Sequence, residues 1–184
     1  ISELDFGAVV LGTASDKLIY MQMDHVLENA ESPTFAWTDN EVFDYSYNAG
    51  NVTVSIRPEV TCGVYQSILT ATAISSLDAS SVNDVITVKV ELYMAKPILG
   101  GYSGIGKNTL VWNSIAGADK YIVYRDDLPV AETPYTSYVD AGITSASTHS
   151  YKVEAVHNAD QNYNTISNVV SITEGQPGII TENN

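Results

Sequence analysis

Apolar and polar residues alternate in short runs along most of the chain, and turn-forming residues separate the runs. The rhythm is clearest from Trp112 to Ile172. There Leu110 and Trp112, Tyr121 and Val123, and Tyr151, Val153 and Ala155 each sit two apart, with breaks every eight to twelve positions. Period-two lettering broken this often predicts antiparallel sheets with one face in a core and one in water. The N-terminal half follows the same rule. Leu4–Phe6 and Val9–Leu11 read as strand segments around Gly7, and Lys17–Met23 as a strand with apolar groups on both faces, as a central strand has. Phe35–Trp37 and Phe43–Tyr45 read as short strands around an Asp39-Asn40 turn. Val52–Ile56 is stopped by Pro58, and Val64–Ala71 follows. Val85–Tyr93 closes this half, with Ile86, Val88, Val90 and Leu92 on one face. Residues 24–34 read as a polar loop with at most one helical turn at His25–Asn29. The expectation for this half is about seven strands and almost no helix.

A break at Met94–Pro97 divides the chain, because proline ends a hydrogen-bonded ladder. The glycine-rich stretch after it, Gly100 to Lys107, reads as a short linker; it lacks the spacing of a phosphate loop and a following helix. The expected organisation is a sandwich over 1–95, a second over 96–174 and a flexible tail over 175–184. The fold class is all-β, two tandem antiparallel β-sandwiches.

Composition supports two cores: 45% of the 184 residues are apolar and 16% charged, which excludes wholesale disorder. The 12 tyrosines against 3 phenylalanines suit half-buried strand faces, where the ring packs and the hydroxyl reaches water. Net charge is −14. Residues 1–95 hold 13 acidic and 3 basic side chains, and residues 96–184 hold 9 and 5, so the first half is the more acidic. Such a surface repels phosphate backbones and anionic lipid, so neither nucleic acid nor a charged membrane surface is an expected partner. No run approaches the length of a membrane span. A lone cysteine, Cys62, allows no internal disulfide and reads as a small core or turn residue. The chain opens at Ile1 and is read as a segment whose targeting signal has been removed.

Residues 97 to about 173 resemble a fibronectin type III domain. The resemblance is carried by Leu110-Val111-Trp112, Ala118–Arg125, Thr136–Asp140, Tyr151–Val156 and Ser167–Val170. It implies that Trp112 and the tyrosine of the Tyr121 strand pack in the core between two sheets. It also implies a corner tyrosine at a position that here is His149, whose imidazole can donate to a nearby carbonyl instead. Residues 1–95 are similar to the immunoglobulin-like modules of the Hydin and abnormal-spindle type found in bacterial surface proteins. That likeness rests on Leu4–Gly7, Val9, Gly12-Thr13, Phe43, Asn51–Pro58 and Gly63–Tyr65. Together the resemblances imply an exported, non-catalytic module pair, secreted or on the cell surface. Its role would be spacing, presentation or adhesion beside other domains of a larger polypeptide, with an unknown protein or glycan as partner. The alternative is a carbohydrate-binding accessory module of a secreted glycan-processing protein.

No motif marks a reaction centre. His25, His149 and His157 lack metal spacing, and no nucleophile elbow or zinc-protease helix signature occurs. Asp126-Asp127 reads as a charged hairpin turn rather than a glycosidase pair, since adjacent residues point apart. Expected catalytic, cofactor and metal residues are therefore none. Asn51-Val52-Thr53 has the glycosylation pattern but reads as a turn. Ligand contact is expected at two places. One is the aromatic pair Trp37 and Tyr45, where rings in line would form a sugar platform; the bland reading makes Trp37 and Phe35 seeds of the first core. The other is the loop His157–Asn164, where Asp160 and Tyr163 offer an oxygen ligand and an aromatic ring, with calcium as a lesser prospect.

Overall fold

A computed structural model describes residues 3–13, 15–20, 32–39, 41–48, 51–143 and 146–175. The chain divides into two compact units, Ile1–Tyr93 and Met94–Asn184.

Unit 1 holds strands β1 (Glu3–Val10), β2 (Asp16–Tyr20), β3 (Thr34–Trp37), β4 (Phe43–Asn48), β5 (Asn51–Ile56), β6 (Gly63–Ile74) and β7 (Ser81–Tyr93). They form two sheets, β1-β7-β6-β3 and β2-β5-β4. Alternation does what the lettering predicts: Ile86, Val88, Val90 and Leu92 on β7 are all buried, as are Val52 and Val54 on β5. The two apolar runs around Gly7 are one strand with a register shift between Asp5 and Ala8, and Gly7 takes a left-handed φ of 68° there. β1 pairs with β7 in parallel.

Two expectations are corrected. β2 is an edge strand rather than a central one, and Leu18 stands 52% exposed on its outer side. β3 and β4 do not form a hairpin about Asp39. β3 pairs with β6 and β4 with β5, so the chain changes sheets between them. The reading of His25–Asn29 lies outside the described residues.

Unit 2 begins at the glycine-rich stretch. Strands β8 (Leu99–Gly104), β9 (Lys107–Trp112) and β12 (Ser137–Ala141) form one sheet in the order β12-β9-β8. The other contains β10 (Lys120–Arg125), β11 (Leu128–Thr133), β13 (Thr148–Val156), β14 (Thr165–Ile166) and β15 (Val170–Thr173). Gly100–Gly104 is therefore a strand, not a linker. Gly101 faces inward, where a Cβ would lie 2.7 Å from Ile172 Cδ1. Asn168 links the first strand to the last, accepting from the Leu99 N–H at 2.8 Å and donating to the Leu99 carbonyl at 2.9 Å. The final strand is split. β14 and β15 pair with different halves of β13, and between them Ser167 Oγ accepts from the Val153 N–H. Trp112 and Tyr121 meet edge to face across the two sheets, 5.5 Å between centroids, both buried as the resemblance implies. Beyond Gly175 the expected tail lies outside the described residues.

Candidate functional site

The first expected contact region sits where the edge strands of unit 1 meet. Alternation on β3 and β4 turns Phe35, Trp37, Phe43, Tyr45 and Tyr47 to the same seam. Trp37 stacks on Phe43 at 5.7 Å, and Phe35 lies 5.0 Å from Tyr45 and 5.2 Å from Tyr47. Phe6 from β1 extends the stack to Phe43 at 6.2 Å. Trp37 and Tyr45 thus share the seam but fall in two separate ring groups, Trp37 with Phe43 and Phe6, Tyr45 with Phe35 and Tyr47, and each is half-buried and occupied with its neighbours. The Trp37 indole N–H is buried and makes no hydrogen bond. Only Tyr47, 39% exposed, reaches well into solvent at the end of the line. The same unit has an apolar cleft of about 240 Å³ with Val10, Leu11, Ile56, Pro58 and Leu92 among its walls, and no acid–base pair lines it.

The second region is the loop after β13. A single 3₁₀ turn, Gln161–Tyr163, is capped by Asp160, whose carboxylate accepts from the Asn162 N–H at 2.9 Å. Asp160 is exposed, and Tyr163 is half-buried with its ring edge-on to His157 at 6.3 Å. His157 and Asn164 from the same loop hold the fold. His157 is buried, with Nδ1 3.1 Å from the Gly117 carbonyl, and its backbone N–H donates to Asn164 Oδ1. Asn164 Nδ2 donates to Glu154, whose other oxygen accepts from Tyr124 at 2.6 Å. That bond to Glu154, more than burial, pushes the Tyr124 hydroxyl up to about 12. Among the described residues no group of three or more His, Cys, Asp and Glu could hold a metal ion.

His149 corrects a detail of the resemblance. Its Nδ1 lies 2.6 Å from Asp126 Oδ2, so its partner is a carboxylate and not a carbonyl. The pairing of Arg125 with Tyr151 sets the β10–β11 turn beside His149. Asp126 and Asp127 take left-handed φ values of 52° and 64°, as a two-residue hairpin requires. Asp126 also accepts from the Ser150 N–H, and Asp127 pairs with Lys152. The two carboxylates point to different partners. The His149 contact, first among its causes, holds Asp126 below the ordinary carboxylate range.

The most elaborate polar constellation was not legible in the sequence. Inside unit 2, Arg125 Nη1 reaches both oxygens of Asp140 at 3.0 Å, the Tyr151 hydroxyl donates to Asp140 at 2.8 Å, and Asn108 Nδ2 donates to that hydroxyl at 3.0 Å. Asn108, Asp140 and Tyr151 are buried. Burial, above all, raises the Tyr151 hydroxyl well beyond the ordinary tyrosine range. Arg125 is raised by its bonds to Asp140. These four residues come from β9, β10, β12 and β13, and they tie both sheets together across the core.

A three-stranded sheet over a larger one, with Trp112 and Tyr121 buried between, makes unit 2 a fibronectin type III-like sandwich. Unit 1 is immunoglobulin-like. No family model matches the chain. A segment of 48 residues is 42% identical to a poly(3-hydroxybutyrate) depolymerase of Ralstonia pickettii; it covers 26% of this chain and 10% of that protein. Among solved structures, the fibronectin(III)-like modules of Clostridium thermocellum CbhA are 17% identical, covering 95% of this chain and 89% of theirs, with a TM-score of 0.33. The titin Z1Z2 domains in complex with telethonin are 12% identical, covering 94% and 93%, with a TM-score of 0.38. At such scores the fold rests on the strand order itself. No helix among the described residues is long and apolar enough to cross a membrane.

Proposed function

We propose that the chain is a pair of non-catalytic β-sandwich modules of an exported bacterial protein, acting in spacing, presentation or adhesion. The observation that carries this reading is how the chemically able side chains among the described residues are engaged. Arg125, Asp140, Tyr151 and Asn108 are bound to one another, His157 to Gly117, and Trp37 to Phe43. A reactive group needs to be held in a cleft with its partner still open to substrate. The test is turnover: the full chain offered chromogenic esters, peptides and glycosides is expected to release nothing. Hydrolysis abolished by substitution of His149 or His157 would overturn the reading.

A second reading makes the pair an accessory module of a secreted polymer-processing protein, carbohydrate-binding in its simplest form. The likeness to the depolymerase favours an accessory role, although the matched segment is only a tenth of that enzyme. A glycan array separates the two. Saturable binding lost in Trp37→Ala or Tyr163→Ala supports sugar binding at the two expected regions, and a blank array supports the spacer.

A further inference from the structure

We propose that the outer face of the β12-β9-β8 sheet binds an uncharged aliphatic polyester, with Tyr102 as its anchor; this rests on the accessory-module reading above and names its ligand class. The two faces of unit 2 differ in charge. The outer side of the larger sheet carries ion pairs and a charged hydrogen bond, Lys120 with Glu132, Lys152 with Asp127 and Tyr124 with Glu154, beside the apolar Ile122 and the exposed Ile166. Outward positions on the smaller sheet are Gly100, Tyr102 and Gly104 on β8, Lys107, Thr109 and Val111 on β9, and Ser137, Val139 and Ala141 on β12. Lys107 is the single charge among them, in a chain of net charge −14. Tyr102 is 55% exposed, and it lies in one cross-strand row with Thr109 and Val139, which is 49% exposed.

The glycines are the second observation. Gly101 is demanded by packing, because a Cβ there would lie 2.7 Å from Ile172 Cδ1 and 3.0 Å from the Thr109 carbonyl, and the backbone oxygen cannot move aside as a side-chain end can. Gly100 and Gly104 are not. A Cβ at Gly100 would meet only the Val111 carbonyl at 4.0 Å, and one at Gly104 would make ordinary contacts of 3.4 Å or more with Lys107. Neither has a positive φ. Glycine weakens a strand, and where neither packing nor a positive φ calls for it, one reason for it is close approach of a ligand or another backbone. Here the two glycines flank Tyr102 on its own face. They leave a flat floor on both sides of the ring, long enough for an extended chain to lie along β8.

The chemistry of the face selects the occupant. Its polar groups are the hydroxyls of Tyr102, Thr109 and Ser137 and the Lys107 ammonium, and none of the nine positions is a carboxylate or carboxamide. A polysaccharide displays many hydroxyl donors, and the three hydroxyls of this face are its only side-chain acceptors for them. A polyester displays only ester oxygens, which accept, and alkyl groups, which pack on Val111, Val139 and the Tyr102 ring. Anionic polymers are repelled by the surrounding acidity.

The experiment is depletion of the full chain from solution by suspended poly(3-hydroxybutyrate) granules, with microcrystalline cellulose in parallel. Saturable adsorption to the polyester and none to cellulose is expected. Tyr102→Ala and Gly100→Glu should each raise the half-saturating concentration about tenfold or more. Lys120→Ala, on the opposite sheet, should bind as the wild type does. Circular dichroism melts of the same samples identify any variant that fails to fold, and Thr109→Glu then takes its place. Adsorption unchanged in these variants overturns the face and leaves the accessory role standing. No adsorption overturns the ligand and leaves the spacer reading standing. Cellulose binding that depends on Tyr102 overturns the ligand class, and a dimer abolished by Tyr102→Ala assigns the face to a second copy.

Discussion

Tyr151→Phe removes one oxygen from the centre of unit 2 and leaves the ring in place, so no cavity term enters. The lost hydroxyl has two bonds. It donates to Asp140 at 2.8 Å and accepts from Asn108 Nδ2 at 3.0 Å. A hydrogen bond to an ionised group is worth about 1.5–3 kcal/mol, and a buried donor left without a partner costs about 1–3 kcal/mol. Asn108 is fully buried and its Oδ1 already lacks a partner, so its amide has nowhere to turn. Asp140 keeps Arg125, which limits the damage. The two losses share one site and do not simply add, so the expected cost is about 3 kcal/mol. For a unit of this size that lowers the melting midpoint by about 15 °C. Urea unfolding in a Trp37→Phe background makes Trp112 the sole indole and reads unit 2 alone. A double-mutant cycle with Asn108→Ala should return a coupling of about 1 kcal/mol. A loss under about 0.5 kcal/mol would mean that the network adds nothing to stability, and the reasoning fails.

Trp37→Ala should open the aromatic seam of unit 1 and cost about 2–3 kcal/mol, below a fully buried tryptophan because the ring is half-exposed; urea unfolding followed by circular dichroism should show the first transition shifting while the Trp112 transition stays put. Gly101→Ala should cost about 1–3 kcal/mol through collision with Ile172, whereas Gly100→Ala should be neutral or stabilising by about 0.5 kcal/mol, and calorimetry distinguishes them. Asp126 is held below its ordinary value of 3.8, so the unfolded chain takes up its proton first. Stability is therefore present above that value and falls as the pH drops through it and below. Asp126→Asn should flatten this acid limb in urea midpoints taken between about pH 5 and pH 3.

Strands with a bulky alternating face were legible. Ile86, Val88, Val90 and Leu92 announce β7 because each inward position carries a large apolar group, and Val52 and Val54 do the same for β5. β8 was not, because glycine shows no side chain from which a period could be read, although Leu99, Gly101 and Ser103 do face inward. Pairing was harder still. The parallel match of Glu3 with Thr87 and the match of Thr34 with Thr72 join residues far apart in sequence, and no local signal fixes them. For the same reason Trp37 and Phe43 read as neighbours across a turn, when their contact bridges two sheets. The Asn108–Asp140–Tyr151–Arg125 network draws one residue from each of four strands and leaves no motif. Asp126-Asp127 was legible as a turn because a two-residue charged pair between alternating runs has few other uses.

The central claim is that the chain carries two separately cored sandwiches, each held by its own buried contacts. Native-state hydrogen exchange on the full chain, wild type against Asp140→Ala, tests it most directly. Removing Asp140 should speed exchange of the β10 and β13 amides about a hundredfold or more and leave the slow amides of β6 and β7 at their wild-type rates. Acceleration of both sets together would contradict the claim, because it would mean one cooperative core.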